Sequence, residues 1–175
     1  MNGGPPPTPR PTGAAANPGN WRTVVVDDFT GDFADRAARG KFKPSSKNGA
    51  NPADVKIQKS FKFRQGVLNI QHKGAAVVES VNVSSFNLCK VEVDYNMLRM
   101  KSSDKWCIEK SNNGGSSYSN IECNTCNNKT RCKQWHTTSS TFSVKGTKDV
   151  EIRLKVYGED NKRDLHVDEF KLLCK

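Results

Sequence analysis

An all-β, antiparallel domain, a sandwich or a barrel, is predicted from three observations. Apolar residues recur at every second position in short runs, turn residues separate those runs, and no i, i+3, i+4, i+7 stripe persists over three turns. Taken in chain order, "VVVDDF", "VKIQKSFKF", "VLNIQH" and "AAVVESV" are short, apolar and β-branched. "CKVEVDYNM" places Cys89, Val91, Val93, Tyr95 and Met97 on one face, with polar and charged residues on the other. "VEIRLKV" repeats the pattern with Val150, Ile152, Leu154 and Val156. In "LHVDEFKLL" the phase slips: Leu165 and Val167 share one face, Phe170, Leu172 and Cys174 the other. A β-bulge near Asp168 and Glu169 reconciles the two; a strand buried on both faces is the alternative. "DFADRAARG" fits one or two helical turns ending at Gly40. About ten strands result, without an internal repeat.

Residues 1–20 differ from the rest. They hold five prolines before Gly13 and one charge, Arg10, and read as a Pro/Gly-rich linker too poor in apolar side chains to offset its chain entropy. Residues 21–175 are long enough for one well-cored domain. They keep 27 of the 28 Lys and Arg residues against 18 acids, a net charge of +9 that favours an anionic partner. No run is long and apolar enough for membrane insertion, and the domain is expected to be a monomer or one module of a larger protein.

The six cysteines support two readings. Cys123, Cys126, Cys132 and His136 form C-x2-C-x5-C-x3-H, close to a zinc-knuckle spacing, which with a basic surface would suggest nucleic-acid binding. That site strands Cys89, Cys107 and Cys174, an odd number, so arithmetic favours three disulfides and an extracellular setting. If "NNGGS" turns at Gly115, Cys107 and Cys123 become cross-strand neighbours. Cys89 opens one strand and Cys174 closes the last, and Cys126 and Cys132 then tie off a small basic loop. Six cysteines allow fifteen pairings, so sequence alone leaves the connectivity open. Sequons at Asn82 and Asn128 agree with a secretory route.

Signatures of catalysis are sparse. The histidines are His72, His136 and His166, and no G-x-S-x-G, H-E-x-x-H or phosphate loop occurs. "IQH" with Tyr95 and Arg99 offers a base and a carboxylate-neutralising cation, the kit of a polysaccharide lyase, as an alternative. Sugar recognition instead needs aromatic faces with polar neighbours. Trp21, Trp106, Trp135, Tyr118 and Tyr157 are the candidates; Trp106 shares the phase of Ile108 and belongs to the core. Trp135 stands beside the loop holding Lys129, Arg131 and Lys133, and Tyr157 follows Arg153 and Lys155 on the polar face of its strand. The expected function is a secreted, non-catalytic module that binds an anionic polysaccharide or glycan through these residues, with an adhesive matrix module the neighbouring reading.

Three motifs carry a family resemblance. "SSDKWCIEKSNNGGSSYSNI" is similar to the "dGGssW" hairpin of extracellular jelly-roll sandwiches, "VVVDDFTGDF" resembles their opening "DFE-x-G-x-F", and "DLHVDEFKLL" resembles their closing "hIDDvxL". These features recur in MAM-like domains and in jelly-roll carbohydrate-binding modules of the galactose-binding-like class. The resemblance implies a disulfide-stapled jelly-roll β-sandwich whose first and last strands meet near a structural calcium ion. Asp27, Asp28, Asp32 and Asp168, with the carbonyl of Thr30, are the oxygen donors it would use. Thr30 stands where the family usually has Glu.

Overall fold

The computed structural model describes residues 19–29, 41–59, 66–126, 134–158 and 163–175. These residues form eleven strands: β1 Arg22–Asp27, β2 Lys43–Pro44, β3 Val55–Lys59, β4 Gly66–Gln71, β5 Ala75–Asn82, β6 Leu88–Leu98, β7 Lys105–Ser111, β8 Ser119–Thr125, β9 Trp135–Ser143, β10 Asp149–Tyr157 and β11 Asp164–Cys174. All pair antiparallel in two sheets. A six-stranded sheet runs β3-β4-β11-β6-β9 with β1 also on β11, and a five-stranded sheet runs β2-β5-β10-β7-β8. The chain is an all-β sandwich, and the period-two runs supply its interior. Val91, Val93, Tyr95 and Met97 of β6 and Val150, Ile152, Leu154 and Val156 of β10 are all buried in the core cluster, with Trp106 and Phe170 among its largest members. "DFADRAARG" lies outside the described residues.

The slip in the last strand is a bulge. Val167 pairs with Tyr95 and Glu169 with Asp94, so Asp168 is the extra residue. There β11 also changes its second partner, from β4 up to Val167 to β1 from Phe170 onward. The three backbones crowd at this handover: a Cβ on Gly66, at the start of β4, would lie 2.1 Å from the Phe29 carbonyl oxygen just after β1. Only glycine fits there.

Each sheet carries one disulfide between directly paired residues. Cys89–Cys174 joins β6 to β11, and Cys107–Cys123 joins β7 to β8. The β7–β8 turn runs through Gly114 and Gly115 at φ 67° and 81°, the left-handed conformation glycine accepts without strain. Cys126 is also disulfide-bonded, and Cys132, its expected partner, lies outside the described residues. The zinc-knuckle alternative is thereby corrected: Cys123 and Cys126 are both in disulfides, so neither offers a thiolate.

Candidate functional site

While one face of β10 and β7 fills the core, the other carries charge. Glu151, Arg153, Lys155 and Tyr157 alternate with the buried aliphatics of β10, and the β7 residues opposite them are Ser111, Glu109, Cys107 and Lys105. Arg153 Nε donates to Glu109 Oε2 at 2.6 Å, with Arg153 only 3% and Glu109 2% exposed. The Tyr157 hydroxyl donates to the second Glu109 oxygen, so both oxygens of that buried carboxylate are satisfied. One strand position along, the Tyr118 hydroxyl donates to Glu151, and the Arg153 guanidinium lies 3.5 Å from the Tyr118 ring centroid.

A loop completes the face. The 3-10 turn at Lys47–Gly49 reaches over β10: Lys47 Nζ meets Glu151 at 3.2 Å and donates to the Gly114 carbonyl at 2.9 Å. Arg153 Nη1 donates to the Lys47 carbonyl at 3.3 Å and Lys155 Nζ to the Asn48 carbonyl at 3.1 Å. A side chain on Gly115 would come within 2.6 Å of the Glu151 carboxylate, so the hairpin glycine also makes room for this network.

At the Tyr157 end the face opens into a cleft of about 300 Å³ lined by Lys73, Ser103, Asp104, Lys155, Tyr157 and Gly158. The Lys105 and Lys155 ammonium groups lie 5.2 and 4.9 Å from the Tyr157 ring centroid. Burial, helped by Glu109, pushes the Tyr157 phenol up to about 12, and burial with Glu151 likewise raises Tyr118. Burial, then Arg153, lowers the Lys155 ammonium. Both phenols therefore hold their protons near neutral pH. The face presents cations and ring surfaces at its rim, over buried carboxylates bonded to the phenols and to Arg153.

Of the residues singled out in the sequence, Arg153, Lys155 and Tyr157 come together here, and Tyr118 joins them. Trp106 is wholly buried, as its phase implied. Half-buried Trp135 sits on β9 opposite Asn96, in the other sheet. Lys129, Arg131 and Lys133 lie outside the described residues. Sequence reading missed Glu109, Glu151 and Lys47. The two glutamates were readable as residues out of phase with buried Ile108 and Ile152; nothing in the sequence brings a loop lysine to them.

The residues of the lyase alternative have structural partners of their own. Tyr95 is in the core, its ring 4.5 Å from that of Trp106, while Arg99 pairs with Asp164 and His72 Nδ1 lies 3.6 Å from Asp54.

At the β1–β11 end, Asp27 Oδ1 and Oδ2 accept the backbone N–H groups of Phe29 and Phe42, each at 3.0 Å. Asp28 faces Lys41 Nζ at 3.5 Å, and Asp168 is the bulge residue of β11. Thr30 and Asp32 are outside the described residues, among which no three His, Cys, Asp or Glu side chains converge on one point. Asp27 and Asp168 carry the hard carboxylate oxygens calcium takes.

Solved structures share this arrangement of strands. The CBM22-1 xylan-binding domain of Paenibacillus barcinonensis Xyn10C is similar at a TM-score of 0.58 and 12% identity, over 89% of this chain and 96% of that one. The fold is that of a carbohydrate-binding-module β-sandwich. The C-terminal family 22 carbohydrate-binding module of Clostridium thermocellum Xyn10B is similar at a TM-score of 0.59 and 15% identity, over 90% of this chain and 97% of that one. A family 61 module, TmCBM61, solved in complex with β-1,4-galactotriose, gives 0.55 and 14%, over 88% of this chain and 99% of that one. These modules are of the galactose-binding-like class. No protein-family model and no curated protein sequence matches the chain.

Proposed function

We propose that the domain is a secreted, non-catalytic module that binds an anionic polysaccharide along the outer face of its five-stranded sheet. The carrying observation is the run Tyr118–Arg153–Glu109–Tyr157, which ends in the cleft between Lys73 and Lys155. The buried Glu109 and Glu151 carboxylates hold Arg153 and the two tyrosines in place, the Tyr157 ring suits a pyranose face, and Lys73, Lys105 and Lys155 suit a carboxylate or sulfate. Similarity in fold to a xylan-binding domain and to a module solved with galactotriose supports a sugar ligand. The disulfides support an oxidising compartment. Lys129, Arg131 and Lys133, with Trp135 of β9, belong to the same proposed ligand set.

The test is retention on carboxylated, sulfated and neutral polysaccharides across a salt series. Wild type should be held by the charged polymers and released as salt rises, because exposed charges are screened within about 8–10 Å at physiological ionic strength. Tyr157→Ala should weaken retention about tenfold, within the range of a lost ring contact. Retention on none of the polymers, or new reducing ends released from any of them, overturns the reading. A calcium ion held by Asp28 and Asp168, with Asp27 or Asp32 and the Thr30 carbonyl assisting, belongs to the same proposal. It would tie β1 to β11, and a chelator should then lower the melting temperature of wild type and leave that of Asp168→Ala unchanged. An equal melting curve with and without chelator removes it.

A further inference from the structure

The two ends of the domain meet in a groove at the opposite end of the sandwich from the Tyr157 cleft. Arg22, at the start of β1, is in register with Cys174, at the end of β11, and Cys174 is bonded to Cys89 of β6. That junction brings Trp21, Lys90 and Lys175 together: the two ammonium groups lie 5.3 and 4.8 Å from the Trp21 ring centroid. Lys175 is not on a frayed end. Its N–H donates to the Leu88 carbonyl at 2.9 Å, and its own carbonyl accepts from Asn87 and Leu88 at 2.9 and 3.1 Å. Around the indole runs an open groove of about 720 Å³, bordered also by Arg22, Ser85 and Phe86. Trp21 is half-buried, so part of its ring is accessible, and Arg22 and Lys175 are exposed. Only Lys90 has an acid close by, Glu92 at 2.6 Å.

We propose that this groove is a second binding site, for an anionic saccharide, with a pyranose ring against the Trp21 indole and its carboxylate or sulfate between Lys175 and Arg22. An aromatic face alone would take a neutral sugar and a bare lysine patch would take any anion; the two combined select a ring that carries charge. An ammonium resting on an exposed indole is weakly held, so Lys175 is free to turn to an arriving anion. The Tyr157 cleft lies beside Asp104, which bridges to Arg163 just before β11. The groove lies where that eleven-residue strand ends. At about 3.4 Å per residue the sites are roughly 35 Å apart. One rigid domain can then grip a polymer twice, or bridge two polymers.

The experiment is calorimetric titration of the oxidised full chain with a sulfated octasaccharide and an oligogalacturonate, with inorganic sulfate as the bare-anion arm and xylohexaose as the neutral arm. In a Tyr157→Ala background, one equivalent of the anionic oligosaccharides should still bind. Adding Trp21→Ala, or Arg22→Gln with Lys175→Gln, should weaken that binding at least tenfold. The exposed Arg22 and Lys175 changes keep the test sound if Trp21→Ala lowers the melting temperature. No binding in the Tyr157→Ala background, binding there that ignores both groove changes, or equal competition by inorganic sulfate each overturns the site. The first proposal fails separately, if Tyr157→Ala changes nothing in the Trp21→Ala background.

Discussion

The outer face of the five-stranded sheet is centred on a buried ion pair, and that of the six-stranded sheet on neutral amides. On the first, the nearly inaccessible Arg153–Glu109 pair is supported by two tyrosines and by a loop lysine on Glu151. On the second, Lys56, Asn69, His166, Asn96 and Trp135 stand in register across five strands. Its centre is neutral: the Gln58 and Asn69 amide nitrogens each lie 3.0 Å from His166 Nε2. Taking charges out of water costs far more than taking amides out, so the charged face needs every lone pair filled and recruits groups from outside its strands. The neutral face manages with neighbours in register. Recruitment from loops leaves exposed cations and ring edges at the rim, which is why the five-stranded face has the chemistry of a binding site.

The largest effect separates the two staples. The Cys89–Cys174 bond closes a separation of 85 residues and Cys107–Cys123 one of 16. In the chain-entropy account, replacing each pair by alanines should cost about 4.5 and about 3 kcal/mol. Denaturant midpoints measure this; equal losses would show that the sheets do not differ in how they are tied. Next comes the contrast between the faces. Arg153→Met leaves Glu109 buried without its partner and should cost about 3–5 kcal/mol. Asn96 Oδ1 is buried and accepts no hydrogen bond, so Asn96→Leu should cost less than about 1 kcal/mol or stabilise. A comparable loss from both would erase the distinction between charged and neutral faces.

The smallest effects lie at the extremes of pH and have opposite signs. Burial lowers His166 below 6.5, aided by Arg99 and Lys56 and opposed by Asp164. The unfolded chain therefore binds that proton more readily, and stability should fall as pH drops below about 6.5. His166→Gln should flatten that acid limb. Tyr157 is raised from 10.0 to about 12, so its contribution is complete below pH 10 and lost as pH rises through about 12. Tyr157→Phe should flatten the alkaline limb alone. Melting temperatures from pH 5 to 11 for the three proteins test both; a variant that flattens the wrong limb breaks the assignment of these groups to their faces.

Much of the fold could be read in advance, because one-sided burial forces period two on a strand. The alternation in "CKVEVDYNM" and "VEIRLKV", the Gly115 turn, the Cys107–Cys123 match and the bulge at Asp168 are all local patterns that the packing preserves. β9 escaped because "WHTTSSTFS" lies on an edge and only Phe142 is fully buried. The short β2 escaped because two residues carry no period. The site was half legible. Strand phase places Arg153, Lys155 and Tyr157 on one side, but their meeting with Lys47 depends on a loop more than 100 residues away in sequence. Trp135 lies on the other sheet, which strand phase alone could not tell.

The Cys89–Cys174 bond also decides how the domain carries a load. β1 lies antiparallel to β11 with its first residue opposite the last. Tension between the two ends therefore peels β1 away pair by pair instead of shearing the sheet. Once β1 is gone, the pull reaches Cys89 from one side and Cys174 from the other, and the covalent bond carries it across. The chain between them, with β7, β8, β9, β10 and the residues Glu109, Arg153 and Tyr157, is bypassed by the force. The stretched segment before Cys89 holds Lys47 and Lys73, so a polymer gripped on that face would lose those two contacts and keep Arg153 and Tyr157.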